Sequence, residues 1–463
     1  MKLTFHGGAK MVTGANYLLE SDPSAGSGST RVLVDCGLHQ GSSFCEKLNF
    51  EPFPYDPQSI DAVLITHAHI DHIGRLPSLY KAGFRGKIYS ISPTKDFAEY
   101  LLIDSQHLLI KDAEERGLPH LYDLPDINET MKLWERVHYH KKFRIGPPDS
   151  GFEIEYFDAG HILGSGSIKI TDKNGKSVVF SGDLGNVAAP LVKDTETINQ
   201  ADYALIESTY GGRLHEDIDI RKDILEDLIE ETVKAKGTLM IPAFAMERTQ
   251  DLLYELNELV ANGRIPRVQI FVDSPLAIKL TGVYEKFSGD AEYFDKEALE
   301  FFRKGKNIFN FPGLKVCLTV EESKQINDAP APKVIIAGAG MSNGGRILHH
   351  ERRYLSDPKS AILFIGYQAE GSLGRQILDG AKSVKISGET VPVRCKMKNI
   401  SGYSAHADQA KLLEWVKPMR MGLKKIFVVQ GEEDQSTPLA VKLRDMLAVD
   451  AKIPSQGEEV ILV

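Results

Sequence analysis

What this chain lacks narrows its class before any motif is read. Four cysteines, Cys36, Cys45, Cys317 and Cys395, occur in 463 residues. They show no paired spacing, so a disulfide framework is excluded and reduced thiols in a cytoplasmic protein are expected. No apolar run approaches the roughly 18 residues that span a bilayer. The opening Met-Lys-Leu-Thr-Phe-His-Gly-Gly has nothing like the apolar stretch of about 7 to 15 residues in a signal peptide. A membrane is therefore not an expected partner. An excess of basic charge is also missing: the net charge is −9 and the pI is near 5.9. Any polyanionic partner must be held by a local basic patch and not by the overall field. At about 150 residues per domain, the length predicts two or three domains.

What is present centres on Thr66-His67-Ala68-His69-Ile70-Asp71-His72, which follows the apolar run Ala62-Val63-Leu64-Ile65. Three histidines and an aspartate at the end of a buried strand have the chemistry of metal ligands. Side chains alternate faces in an extended segment, so His67 and His69 point the same way and one ion can take both. A helix over the amphipathic stretch from Ile73 to Ala82 would place Asp71 and His72 in its first turn, facing a second ion. Two ions about 3.5–4 Å apart can activate a shared water and clamp the oxygens of an ester displacement.

Other strand ends repeat this context. Leu3 to Phe5, Tyr17 to Glu20 and Arg31 to Asp35 read as short strands, with Ser21 to Thr30 a hairpin loop. Asp35, followed by Cys36-Gly37, can support the metal histidines without binding the ion. Phe152 to Phe157 runs into Asp158-Ala-Gly-His161, and Ser177 to Phe180 into Ser181-Gly-Asp183. His161 would complete the first ion's set, and Asp183, with two oxygens, could bridge both ions. His107, His120, His138 and His140 lie in a stretch of helical spacing and read as ordinary surface or core histidines.

Asp35, His67-x-His69-x-Asp71-His72, His161 and Asp183 resemble, in order, the four motifs of the metallo-β-lactamase superfamily. Glu207-Ser-Thr-Tyr-Gly-Gly, Gly366-Tyr-Gln-Ala-Glu-Gly-Ser-Leu-Gly-Arg375 and Ser404-Ala-His-Ala-Asp408 resemble its β-CASP branch, the nucleases of RNA 3′-end processing. The resemblance implies an α/β chain: an αββα sandwich with metals at one edge and an inserted parallel-sheet β-CASP cap. It makes Glu207 the acidic motif A, and His406 the motif C residue and a ligand of the second metal. Members that act on RNA carry histidine at that last position, whereas DNA-repair members carry valine. One departure is plain: Gln376 stands where the eukaryotic processing endonuclease has a histidine, and an amide cannot deliver a proton near neutral pH.

Between Tyr210 and about Ala381, short apolar runs at Gly237 to Pro242, Arg267 to Val272, Lys333 to Ala337 and Ala361 to Ile365 alternate with amphipathic helices over 221–236 and 247–262. The expected domains are 1–210, an inserted 211–381, and 382–463 returning to the first through Val391 to Met397. The insert reads as a cap that leaves a cleft. From Arg346 to Lys398 ten Lys/Arg face five Asp/Glu, the reverse of the chain's overall sign. Gly338-Ala-Gly-Met-Ser342-Asn-Gly344-Gly joins a strand to a helix, where free amides can hold a phosphate. It fails the dinucleotide fingerprint because Asn343 occupies the third glycine position. Ser342, Gly344, Arg375 and Gln376 are the expected substrate contacts.

The sequence thus predicts a ribonuclease with two Zn2+ ions, although Mn2+ or Fe could use the same ligands. His67, His69 and His161 hold one ion, Asp71, His72 and His406 the other, and Asp183 bridges. Asp71 or Asp183 accepts the attacking water's proton. The competing readings are a metallohydrolase of another phosphodiester or a thioester, and a non-catalytic RNA-binding scaffold. A homodimer, the RNA target and the choice between internal and terminal cutting are left open.

Overall fold

The backbone pairs its strands into three principal sheets in a computed structural model that describes all residues except 23–27, 42–45, 187–189, 216–217, 304–306, 308, 367 and 369–370. Cys45, the centre of the expected Ser21 to Thr30 loop, and Tyr367, Ala369 and Glu370 of the glycine-rich motif lie outside the described residues. The chain divides into two compact units. One joins Met1–Val187, Val192–Leu214 and His406–Val463, and the other joins Ala188–Leu191 and His215–Ala405.

In the first unit two seven-stranded sheets lie face to face. One contains Lys2–Phe5, Tyr17–Glu20, Arg31–Val34, Ala62–Leu64 and Lys87–Ile91. The other contains Phe152–Asp158, Gly166–Thr171, Ser177–Phe180, Tyr203–Glu207 and Lys425–Val429. Alternation along each strand sends one set of side chains between the sheets and the other toward helices. Phe5 meets Phe427 with ring centroids 5.2 Å apart, and Tyr17 meets Phe180 at 6.1 Å. On the outer faces, Val63, Ile65 and Ile88 pack with Leu76, Leu79 and Leu102, while Ala204, Ile206 and Val428 pack with Leu412, Trp415 and Leu439. This is the expected αββα sandwich. Arg31–Val34 runs parallel to Ala62–Leu64, and Ser177–Phe180, Tyr203–Glu207 and Lys425–Val429 are parallel to one another, so within each sheet those strands deliver their C-terminal ends to one edge.

Past Leu64 the chain turns sooner than expected. The predicted helix is two short ones, Ile70–Ile73 and Leu76–Lys81, broken at Gly74-Arg75. Asp71 and His72 do fall in the first turn. Gly37 makes that approach possible, because a Cβ there would sit 1.5 Å from the Asp71 carbonyl oxygen.

The inserted unit holds a six-stranded, all-parallel sheet in the order Leu314–Val316, Gln269–Asp273, Lys333–Ala337, Thr238–Pro242, Ala361–Phe364, Lys396–Asn399. Its central strands are buried throughout, as a parallel sheet covered on both faces requires. The expected return at residue 382 is corrected here. Lys396–Asn399 pairs with Ala361–Phe364, and a hairpin of Ser383–Ile386 and Glu389–Pro392 packs on the same core, so residues up to Ala405 stay with this unit. No helix among the described residues is long and apolar enough to cross a membrane.

One buried acid in this unit carries a stability prediction. Glu351, on helix Ile347–Tyr354, is fully buried, and burial pushes its carboxyl from 4.5 up to about 8, opposed only by the Ser342 hydroxyl. A raised folded pKa favours the protonated form in the fold. Its contribution is therefore present below about pH 4.5 and lost as pH rises through about 8. The melting temperature of the wild type should fall more steeply between these limits than that of Glu351→Gln. Parallel curves in a thermal-shift series would show that this carboxyl does not titrate with folding.

Candidate metal centre

Strand Arg31–Val34 ends at Asp35, whose backbone turns left-handed (φ 60°) and directs its carboxylate inward. Asp35 Oδ1 accepts from the Thr66 amide at 2.8 Å, and Oδ2 accepts from the Thr66 hydroxyl at 2.8 Å. The same Oδ2 lies 2.7 Å from His72 Nδ1. That contact orients the ring and turns Nε2 toward Asp183, the arrangement by which a carboxylate positions a ligating histidine. Thr66 Oγ1 also stands 3.0 Å from His67 Nδ1, so His67 likewise presents Nε2.

Four buried or nearly buried ligand atoms then converge. His67 Nε2 is 2.9 Å from His69 Nδ1 and 3.4 Å from Asp183 Oδ2, and His161 Nε2 is 3.2 Å from His69 Nδ1 and 3.6 Å from Asp183 Oδ2. A tetrahedral zinc with bonds of about 2.0–2.1 Å requires ligand atoms about 3.3 Å apart. The observed separations bracket that value, so His67, His69, His161 and Asp183 fit a cation. Burial and the neighbouring imidazoles push His69 and His161 well below the usual histidine range, which keeps their lone pairs available.

A second set forms around the other oxygen of Asp183. His72 Nε2 lies 3.3 Å from Asp183 Oδ1 and 3.8 Å from Asp71 Oδ2. Burial opposes charge on His72, yet Asp183, Asp35 and Asp71 together raise it well above its usual range. Burial also opposes charge on Asp183, but His72 and His67 hold it well below the usual carboxylate range, whereas burial raises Asp71.

His406 arrives from far along the sequence. It forms a bridge opposite Gly185, and the Ala407 amide donates to the Leu184 carbonyl at 2.7 Å. Gly185 admits this packing because a Cβ there would meet the Gly160 oxygen at 1.8 Å. The His406 ring lies 4.7 Å from that of His161, and its Nδ1 is 3.8 Å from Asp183 Oδ2 and 3.3 Å from each oxygen of Glu207. Glu207, fully buried at the end of Tyr203–Glu207, accepts from the Leu184 amide at 2.7 Å. His406 thus joins Asp183 and Glu207, and by these distances it leans on Oδ2 of Asp183, not on the oxygen that faces His72.

One residue was missed. Gln430, left-handed (φ 49°) after strand Lys425–Val429, brings Nε2 to 2.7 Å from Asp183 Oδ1 and 3.0 Å from His72 Nε2. The signal was available, since Gln430-Gly431 repeats the pattern of a strand giving way to glycine.

The four expected substrate contacts all lie in the inserted unit. Hydrogen bonds tie its two glycine-rich segments together: Gln368 Nε2 to the Gly340 carbonyl at 3.0 Å, the Leu373 amide to Asn343 Oδ1 at 3.0 Å, and the Gly374 amide to the Met341 carbonyl at 3.1 Å. Ser342 is a correction. Its side chain is fully buried and its hydroxyl donates to Glu351, so it offers nothing to a phosphate. Gly344 faces open space, Gln376 is exposed, and Arg375 Nε binds both oxygens of Asp379 at 2.9 and 3.0 Å.

Residues 30–235 match the family described as a beta-lactamase superfamily domain, residues 249–377 match the Beta-Casp domain, and residues 390–454 match the Zn-dependent metallo-hydrolase RNA specificity domain. Over 464 residues the chain is 36% identical to a ribonuclease of Thermus thermophilus, covering 100% of this chain and 98% of that protein. It is 32% identical over 460 residues to an RNase J-like protein of Methanocaldococcus jannaschii, covering 98% of each. It is 29% identical over 478 residues to the transcription termination factor FttA of Methanosarcina mazei, covering 100% of this chain and 72% of that protein.

Proposed function

Because the chain belongs to the β-CASP branch of the metallo-β-lactamase hydrolases, we propose that it hydrolyses RNA phosphodiester bonds with two zinc ions. The observation that carries this reading is the set of four ligand atoms separated by 2.9 to 3.6 Å. His67, His69, His161 and Asp183 would hold one ion. Asp71, His72 and Asp183 would hold the other, with His406 beside the shared carboxylate. When bound, the ions supply Lewis acidity: a water drawn toward ionisation near neutral pH, and neutralisation of charge on the phosphate oxygens.

The chain's own groups prepare that chemistry. Asp35 and Thr66 fix His72 and His67 so that each presents Nε2. Glu207 holds the His406 ring against Asp183. The His406 side chain is 22% exposed, while those of His67, His72 and His161 are fully buried, so His406 is the imidazole of that group within reach of a substrate oxygen. With Gln376 unable to give up a proton, leaving-group protonation falls to His406 or to solvent. Gly344, Arg375 and Gln376 contact the RNA from the inserted unit.

The test is one gel. End-labelled RNA should be cut, DNA of the same sequence should not, a chelator should stop cutting, and added zinc should restore it. Purified protein without a transition metal, or cleavage indifferent to chelator, would remove the proposal.

A further inference from the structure

Within the inserted unit a cavity of about 510 Å³ opens between helix Val320–Gln325 and helix Ile347–Tyr354. Lys324 lines it from the first helix, and Arg346, His349, His350 and Arg353 line it from the second helix and its N-cap. Its volume falls in the range of ordinary ligand clefts, about 300–1,000 Å³.

The rear wall is built, not incidental. Asp273, fully buried at the end of strand Gln269–Asp273, accepts from the Ser323 hydroxyl at 2.6 Å, Arg346 Nη1 at 2.7 Å and His350 Nε2 at 2.8 Å. Burial opposes its charge, yet these three donors hold the carboxyl below its usual range. Arg346 also donates to the carbonyls of Cys317 and Leu318, each at 3.0 Å. A guanidinium fixed this way loses little freedom when it meets a ligand. His350, 2% exposed, keeps Nδ1 without a hydrogen-bond partner.

Charge in the cavity runs against the chain's net of −9. Asp273 offsets Arg346, and Glu389 lies 3.5 Å from Arg352 in an exposed pair that contributes little. Among the described residues Lys324 and Arg353 form no ion pair, so two positive charges and the exposed His349 remain for an anion. Val320, 54% exposed, adds an apolar edge for a ribose or a base.

We infer that this cavity holds the phosphodiester backbone of an RNA strand, through Lys324, Arg353 and His349, as a contact additional to the metal centre. The inference rests on the ribonuclease reading above for its choice of polyanion.

The test uses the full chain kept in chelator, so that a fluorescein-labelled single-stranded RNA is bound and not cut. Anisotropy titrations compare wild type with Lys324→Glu/Arg353→Glu. The double variant should bind about 10-fold more weakly, and its salt dependence should flatten by about 1.4, two phosphate contacts at about 0.7 each. Lys324→Arg/Arg353→Lys should stay within about twofold of wild type, with melting temperatures near wild type, since both side chains are exposed and the one ring contact, Arg353 over Tyr354 at 5.8 Å, can be kept by a lysine. Unchanged RNA affinity in the Glu variant overturns the inference. So does loss of ATP or acidic-peptide binding with RNA binding intact, which would assign the cavity to that ligand. Metal-loaded wild type assayed on the same RNA keeps the two readings apart: no cleavage with a clear binding difference removes the nuclease and keeps the cavity, and the reverse removes the cavity alone.

Discussion

Asp183→Ala should leave a folded protein that retains no bound zinc after dialysis and cuts RNA at least about 10⁴-fold more slowly, a barrier increase of about 5.5 kcal/mol. Asp183 puts one oxygen 3.4 and 3.6 Å from His67 and His161, and the other 3.3 Å from His72, so its removal takes a ligand and a charge from both sets at once. The remaining imidazoles would surround a cation without the shared anion. The fold should survive because Asp183 lies beyond strand Ser177–Phe180, and the apolar core beneath it is formed by Val179, Leu184 and Ala204. Asp183→Asn separates shape from charge. It preserves an oxygen for the Gln430 amide, 2.7 Å away in the wild type, yet cannot act as a doubly coordinating anion. Both variants should therefore fail alike in metal content by plasma mass spectrometry, with melting temperatures near wild type. Retention of two metal equivalents by either would show that the bridge is formed elsewhere.

The two halves of the centre differ in how far they could be read from residues alone. His67, His69, Asp71 and His72 are close in sequence and follow an apolar strand, so strand alternation and one helical turn suffice to propose them as ligands. His161, Asp183 and His406 are single residues, and their meeting depends on long-range sheet pairing that no local pattern encodes. Their assignment came from resemblance to a family. Gln430 stands at a strand end before glycine, as the ligands do, but an amide is not a usual zinc ligand, so its type did not mark it. Ser342 failed differently, because a glycine-rich loop suggests free donors while the acid packed beneath it, Glu351, lies nine residues away in a charged helix. The unit boundary was misplaced because Lys396–Asn399 is a short, mostly exposed edge strand whose lysines hide its pairing with Ala361–Phe364.

The contact between Glu207 and His406 predicts the second large effect, and one that is not additive. His406→Ala removes the exposed imidazole beside Asp183 and should slow cleavage about 10³-fold, within the range for loss of a positioned acid–base group or ligand. Glu207→Gln keeps the side chain's size and an acceptor for the Leu184 amide, 2.7 Å away, but loses the charge shared with His406 Nδ1. Loss of such an orienting partner typically costs about 10- to 100-fold in metal affinity or activity. If Glu207 acts only through His406, the double variant should be no slower than His406→Ala, because residues that work as a unit do not add. A double variant slower by the product of the two single effects would mean that Glu207 has its own contact with metal or substrate. Metal content discriminates further: Glu207→Gln should retain the ion proposed at His67, His69 and His161, since those imidazoles and Asp183 form a candidate set without Glu207. Loss of that ion on neutralising Glu207 would move the acid from a positioning role into the ligand set itself.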